Sequence, residues 1–113
     1  VDPKRIYLTG LSMGGQGTWT WAAQSKERFA AIIPVCGRGD GTWGTRLADL
    51  PVWIFHGAKD TAVPIETSEQ MANALKKAGA DPKFTIYPEA GHDSWTETYE
   101  NSEIYKWLLQ QSK

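Results

Sequence analysis

A chain of 113 residues has room for one domain, and a domain of that size buries roughly two-thirds of its unfolded surface. Hydrophobic residues at 41% and charged residues at 22% are ordinary for a globular protein and exclude a disordered one. The 12 Lys and Arg balance 13 Asp and Glu, so no basic excess draws the chain toward nucleic acid or a membrane, and neither is expected as a partner.

No apolar run reaches the length of a transmembrane helix, and no signal peptide is legible. The chain opens at Val1 rather than methionine, so an upstream segment is expected to have been removed, and localisation stays open. Taken in order, the first strand falls at Ile6-Tyr7-Leu8 and leads into a helix over about 14–24, with Trp19, Ala22 and Ala23 on one face. Ala31-Ile32-Ile33 reads as the second strand, with Pro34 ending it because proline has no N–H for a ladder. Cys36, the single cysteine, excludes an internal disulfide and reads as a small buried hydrophobe.

Val52-Trp53-Ile54-Phe55 is the third strand. A helix follows, with Pro64 in its first turn and Glu66 and Glu69 near its positive end. Lys76 and Lys77 lie near its negative end, and Gly79 closes it. Its inward stripe is Ile65, Ser68, Ala72 and Leu75. Phe84-Thr85-Ile86-Tyr87 is the fourth strand, and a last helix carries Ile104, Trp107 and Leu108. Strands that are apolar throughout, alternating with helices, imply an α/β fold. It is a mostly parallel sheet of about four strands with helices on both faces, and residues 1–113 form a single domain.

Gly10-Leu11-Ser12-Met13-Gly14 matches G-x-S-x-G between a strand and a helix. A serine on such a sharp turn projects its hydroxyl above the sheet, and glycines two residues either side are expected to avoid collisions. The Met13 amide, at the helix N-terminus, points toward a developing oxyanion. Of the two histidines, His92 follows the fourth strand and His56 ends the third. Ser12, Asp60 and His92 each follow a strand, and parallel strands gather their C-terminal ends at one edge.

That order and those residue types suit nucleophilic catalysis. A serine hydroxyl is weak until an imidazole takes its proton, and a carboxylate orients the imidazole. His56 reads as structural. Asp40, Asp49 and Asp93 are rival acids, with Asp40 the main competitor for Asp60 because it follows the second strand. Trp43 and Trp95 are candidate walls for an acyl or alcohol group, with core packing as the equal alternative.

The chain resembles the polyhydroxybutyrate-depolymerase-like and prolyl-oligopeptidase-like esterases of the α/β-hydrolase superfamily, a group that includes predicted peptidases and phospholipase/carboxylesterases. The likeness rests on Arg5 to Gly15, on Phe55-His56-Gly57-Ala58-Lys59-Asp60 and on Gly91-His92-Asp93-Ser94-Trp95. It implies Ser12 as nucleophile, Asp60 as acid, His92 as base and the Met13 amide as oxyanion donor.

The same resemblance implies a truncated α/β-hydrolase fold, the C-terminal half only, without the first strands and without a second oxyanion donor. A serine carboxylic-ester hydrolase acting on a small-molecule ester through an acyl-enzyme is expected, with no metal or organic cofactor. A peptidase or a feruloyl or acetyl-xylan esterase is the alternative within the class, and a non-catalytic fragment the alternative outside it. With its first strand left as an edge, the chain is expected to form a homodimer or homo-oligomer through that edge.

Overall fold

The computed structural model describes residues 1–113. Strands β1 (Tyr7–Leu11), β2 (Ala31–Val35), β3 (Trp53–Gly57) and β4 (Lys83–Tyr87) form one sheet in the order β1-β2-β3-β4, and every pairing is parallel. The helices are α1 (Met13–Ser25), α2 (Glu66–Lys77), α3 (Trp95–Glu100) and α4 (Ser102–Leu109).

Burial follows position in the sheet. Every residue of β2 and β3 is buried, whereas β1 and β4, at the edges, are half-exposed. The inner strands are therefore apolar runs with packed helices on both sides. On one face Trp19 and Ala22 of α1 and Met71, Ala72 and Leu75 of α2 pack with Ile32, Val52 and Ile54. On the other, Ile104 of α4 joins Ile33, Val35 and Phe55, with Trp95 and Tyr99 of α3 and Trp107 and Leu108 of α4 against them. Truncating Phe55, fully buried on this second face, to alanine would cost about 3–5 kcal/mol.

Three expectations change in detail. Pro34 lies inside β2 rather than at its end. The amides of Ile32 and Cys36 donate to the carbonyls of Pro51 and Phe55 on the β3 side. A donor at position 34 would fall between them, where the β2–β3 pairing is interrupted. Proline is tolerated there because the ladder skips the bond it cannot make.

Helix α2 begins at Glu66, so Pro64 and Ile65 precede it rather than lying in its first turn, and it buries Met71 beside Ser68, Ala72 and Leu75. Gly79 ends the helix with φ +91°, as its position suggested. The last helix is really two, because the Asn101 side chain accepts from the Glu103 amide at 2.9 Å and starts α4 afresh. The polar run over 95–100 hides α3 from a periodicity reading.

Candidate active site

Four loops leave the C-terminal ends of the four strands along one rim, and each brings one side chain to the site. Ser12 follows β1, Cys36 follows β2, Asp60 follows β3 and His92 follows β4. Parallel strands place these ends together whatever their separation in sequence.

Ser12 sits between β1 and α1 with φ 54° and ψ −117°. A non-glycine residue there stores about 1–3 kcal/mol of strain, which the surrounding structure must hold. The Ser12 amide donates to the Val35 carbonyl at 3.0 Å, tying the turn to β2. A Cβ on Gly10 would collide with the Gly14 carbonyl and the Thr18 hydroxyl oxygen, so the glycine before the serine is needed for close approach. The glycine after it is not: around Gly14 a Cβ would meet open space. The close contact falls one residue later, where Gly15 packs against the Val35 carbonyl and the Gly37 backbone. The expected need for glycine at both flanks is thus corrected to Gly10 and Gly15.

The side chains form one hydrogen-bonded chain. Ser12 Oγ lies 2.9 Å from His92 Nε2, and His92 Nδ1 lies 2.8 Å from Asp60 Oδ2. The Asp60 side chain is fully buried, while the His92 side chain keeps 31% of its surface exposed. Asp60 Oδ1 accepts from the amides of Ala62 at 2.9 Å and Val63 at 2.8 Å. Burial alone would push the Asp60 carboxyl up. The bond from His92 and the amides of Val63 and Ala62 outweigh it and hold the group below the usual carboxylate range.

The loops bearing Asp60 and His92 are fastened to each other. The Ala58 amide donates to the Tyr87 carbonyl and the Lys59 amide to the Ala90 carbonyl, both at 2.9 Å. Gly57 makes this apposition possible, since a Cβ there would strike the carbonyls of Ala90 and Gly91.

The rival acids are engaged elsewhere. Asp40 is exposed and accepts from the amide and hydroxyl of Thr42 at 2.9 and 2.7 Å, which hold its carboxyl below the usual range. Asp49 pairs with Lys26 at 2.9 Å. Asp93 caps α3 through the amide and hydroxyl of Thr96. His56 is buried, as its structural reading required, with Nδ1 2.7 Å from Ser68 Oγ and Nε2 2.7 Å from the Val63 carbonyl. Of the two tryptophans, only Trp95 lies against the histidine, edge-on at 5.3 Å between ring centroids. Trp43 packs instead against the core cluster shared by α1 and α2, so its alternative reading as packing describes it. Met13 is the first residue of α1 with its side chain exposed, and an amide at that position has no acceptor within the helix.

Cys36 is buried, as expected, but its place is more particular than a buried hydrophobe needs. It has φ 43°, and its sulfur lies with the ligand atoms of Asp60 and His92 inside a 4.8 Å cluster. Its position directly after β2 was the available signal. The three donor types could hold a metal ion, but Asp60 and His92 are already bonded to each other. Burial also pushes the Cys36 thiol up, toward its protonated form.

A parallel sheet with helices on both faces, and a serine, a histidine and a carboxylate linked at its C-terminal rim, define an α/β-hydrolase. The chain belongs to the dienelactone hydrolase family, whose model matches residues 1–106. It is 35% identical over 101 residues to a Yersinia pestis protein provisionally named carboxymethylenebutenolidase, covering 80% of this chain and 38% of that one. The crystal structure of a thermostable esterase superposes with a TM-score of 0.96 at 43% identity, over 100% of this chain and 32% of that one. A Klebsiella pneumoniae protein provisionally named dienelactone hydrolase superposes with a TM-score of 0.71 at 30% identity, over 96% of this chain and 50% of that one. The chain thus spans about two-fifths or less of the curated relative and half or less of these structures. The superfamily implied by the sequence is the one found, and within it the matching family is that of dienelactone hydrolases.

Proposed function

We propose that the protein hydrolyses carboxylic esters, with short-chain or aryl esters as substrates, through an acyl-enzyme on Ser12. The observation that carries this reading is the continuous chain from Ser12 Oγ through His92 to the buried Asp60. Ser12 Oγ attacks the ester carbonyl carbon while His92 Nε2 takes its proton. Asp60 keeps the other ring proton on Nδ1 and stabilises the imidazolium. The Met13 amide donates to the carbonyl oxygen as it gains charge. His92 then returns the proton to the departing alkoxide, and the alcohol leaves. Water, deprotonated by the same imidazole, attacks the acyl group and frees Ser12 as the acid departs. The exposed edge of His92, beside Trp95, is where the alcohol portion would sit. The reaction as written calls on no cofactor.

The relatives at 30% identity or more named above carry the names of an esterase and of hydrolases of cyclic esters, which supports esters over peptides. Burst kinetics with a chromogenic short-chain ester, alongside labelling by a fluorophosphonate, test the proposal. Wild type should give a burst and a labelled adduct, and Ser12→Ala should lose both, with turnover down about 10⁶-fold. Equal labelling of the two would remove Ser12 from the role. Absence of any burst in wild type would favour a non-catalytic fragment. We further propose that two copies of the chain associate through the open edge of β1.

A further inference from the structure

His56 has a feature that packing alone does not require. Its ring is fully buried at the end of β3, yet Nε2 lies 2.7 Å from the Val63 carbonyl and 3.3 Å from Asp60 Oδ2. A carbonyl oxygen can only accept, so Nε2 carries the ring proton. Nδ1 is then bare and accepts from the Ser68 hydroxyl at 2.7 Å. The tautomer follows from the chemistry of the partners. The single N–H is bonded to the Val63 carbonyl, and the Asp60 carboxylate oxygen lies beside the same nitrogen at 3.3 Å.

The donors around Asp60 are therefore distributed over both oxygens. Oδ1 takes the two amides of its own loop. Oδ2 takes His92 from the β4 loop and lies in reach of His56 from β3. A carboxylate turns readily about its last torsion, where the wells are broad, and donors on each oxygen fix that turn. Ser68 lies on α2 and is fully buried, so the ring is in turn anchored to a helix outside the rim. The titratable groups facing Asp60 are His56, His92 and, from the β2 loop, Cys36.

We propose that His56, locked by Ser68, is a positioning residue for Asp60: the positive N–H side of its ring, held 3.3 Å from the oxygen that bonds His92, attracts that oxygen and sets the carboxylate's rotation toward Nδ1. The proposal rests on the reading of Ser12, His92 and Asp60 as the reacting set, but it can be measured without turnover. A ring that merely filled space would be satisfied by Val63 and Ser68 and would leave Asp60 indifferent to its loss.

The experiment follows the Asp60 carboxyl by carbon-13 NMR titration in wild type, His56→Leu and His56→Gln, with ester kinetics in parallel. Leucine fills the space without a donor, whereas glutamine places an amide N–H near the position of Nε2. A positive N–H side lost from beside the ionised form raises a carboxyl pKa. His56→Leu should therefore move the Asp60 titration upward by about one unit, lower kcat about tenfold and leave KM unchanged. His56→Gln should restore most of both. If His56→Leu does not fold, Ser68→Ala reads the same link by releasing the tautomer, with a shift in the same direction. Loss of Ser12-dependent hydrolysis in wild type would remove the proposed function while the Asp60 titration still reports on His56. An Asp60 titration that stays in place in the folded variants, or equal losses in leucine and glutamine variants, would overturn the positioning role.

Discussion

The rim at the C-terminal ends of the strands and the outer edge of β1 lie at opposite extremes of how firmly the chain is held. At the rim, the loops after β3 and β4 are fastened to each other by backbone bonds between residues 58–59 and 87–90. A buried carboxylate there takes donors on both oxygens. At the edge, β1 has a partner on one side only. Ser12 N donates to Val35 and Ile6 accepts from Ala30, so the even-numbered residues turn their backbone groups toward β2. Parallel strands alternate in this respect, and the N–H and C=O groups of Tyr7, Thr9 and Leu11 face away from the sheet. Chemistry needs fixed geometry, and this fold concentrates its cross-links where the reacting groups stand.

The largest test of that contrast is the choice of carboxylate. Asp60→Asn should cut ester turnover by about 10⁴-fold, because an amide donor facing Nδ1 favours the wrong imidazole tautomer. Asp40→Asn should change turnover little, since Asp40 is exposed and bonds only Thr42. Steady-state kinetics of the two variants decide the matter, and a crippled Asp40→Asn beside a mild Asp60→Asn would reverse the assignment.

The candidate site was more legible than the packing that supports it. Ser12, Asp60 and His92 could be read because each follows an apolar run, and the parallel topology turns that into proximity. Asp60 stands ahead of Asp40, Asp49 and Asp93 in the sequence because it follows the strand before the one that leads to His92, and Thr42, Lys26 and Thr96 engage the other three. Cys36 reads as a buried residue and His56 as a structural one, and both are buried, His56 with hydrogen bonds to Ser68 and Val63. What the linear pattern could not carry was that both lie beside the same carboxylate, since that depends on the paths of the loops after β2 and β3. Trp43 carried the same composition signal as Trp95, and only tertiary packing separates them. Helix α3 was missed because residues 95–100 are mainly polar, and its start depends on capping by Asp93.

The next effect is on stability, and it separates the two glycines around Ser12. Gly10→Ala should destabilise by about 3 kcal/mol, since its Cβ meets backbone rather than a flexible side chain. Gly14→Ala should be neutral or stabilising by up to about 1 kcal/mol, because the site is open and alanine suits a helix better than glycine. Urea midpoints of both variants check this, and equal losses would mean that the Gly14 surface is occupied in solution.

A smaller effect appears in the pH dependence of stability. The folded Asp60 carboxyl is held below its ordinary value. Its contribution is therefore complete above the unfolded value of about 3.9 and is lost as pH falls through that value toward the folded one. Wild type should lose unfolding free energy more steeply between about pH 5 and 3 than Asp60→Asn, which has no proton to take up there. Denaturant titrations at several pH values measure the two slopes. Parallel slopes would show that Asp60 gains as little from its donors as an exposed carboxyl does.

The smallest expected effect lies at the open edge, where association depends on weak, unspecific features. The outward groups of Tyr7, Thr9 and Leu11 form a template for another strand. The exposed apolar side chains of Ile6 and Trp21 lie near it, with Trp21 edge-on to Phe29 and exposed over about half its surface. Two copies related by a two-fold axis would present the same edge to each other, so one contact satisfies both. The pairing would add backbone bonds without disturbing the rim, because Ser12 is tied to β2 on the opposite side of β1. Sedimentation at micromolar concentration should show a dimer. Ile6→Lys should shift it toward monomer by placing a charge at the edge, with ester turnover per chain unchanged. A stable wild-type monomer would reject the association, and a dimer indifferent to Ile6→Lys would place the contact on another surface.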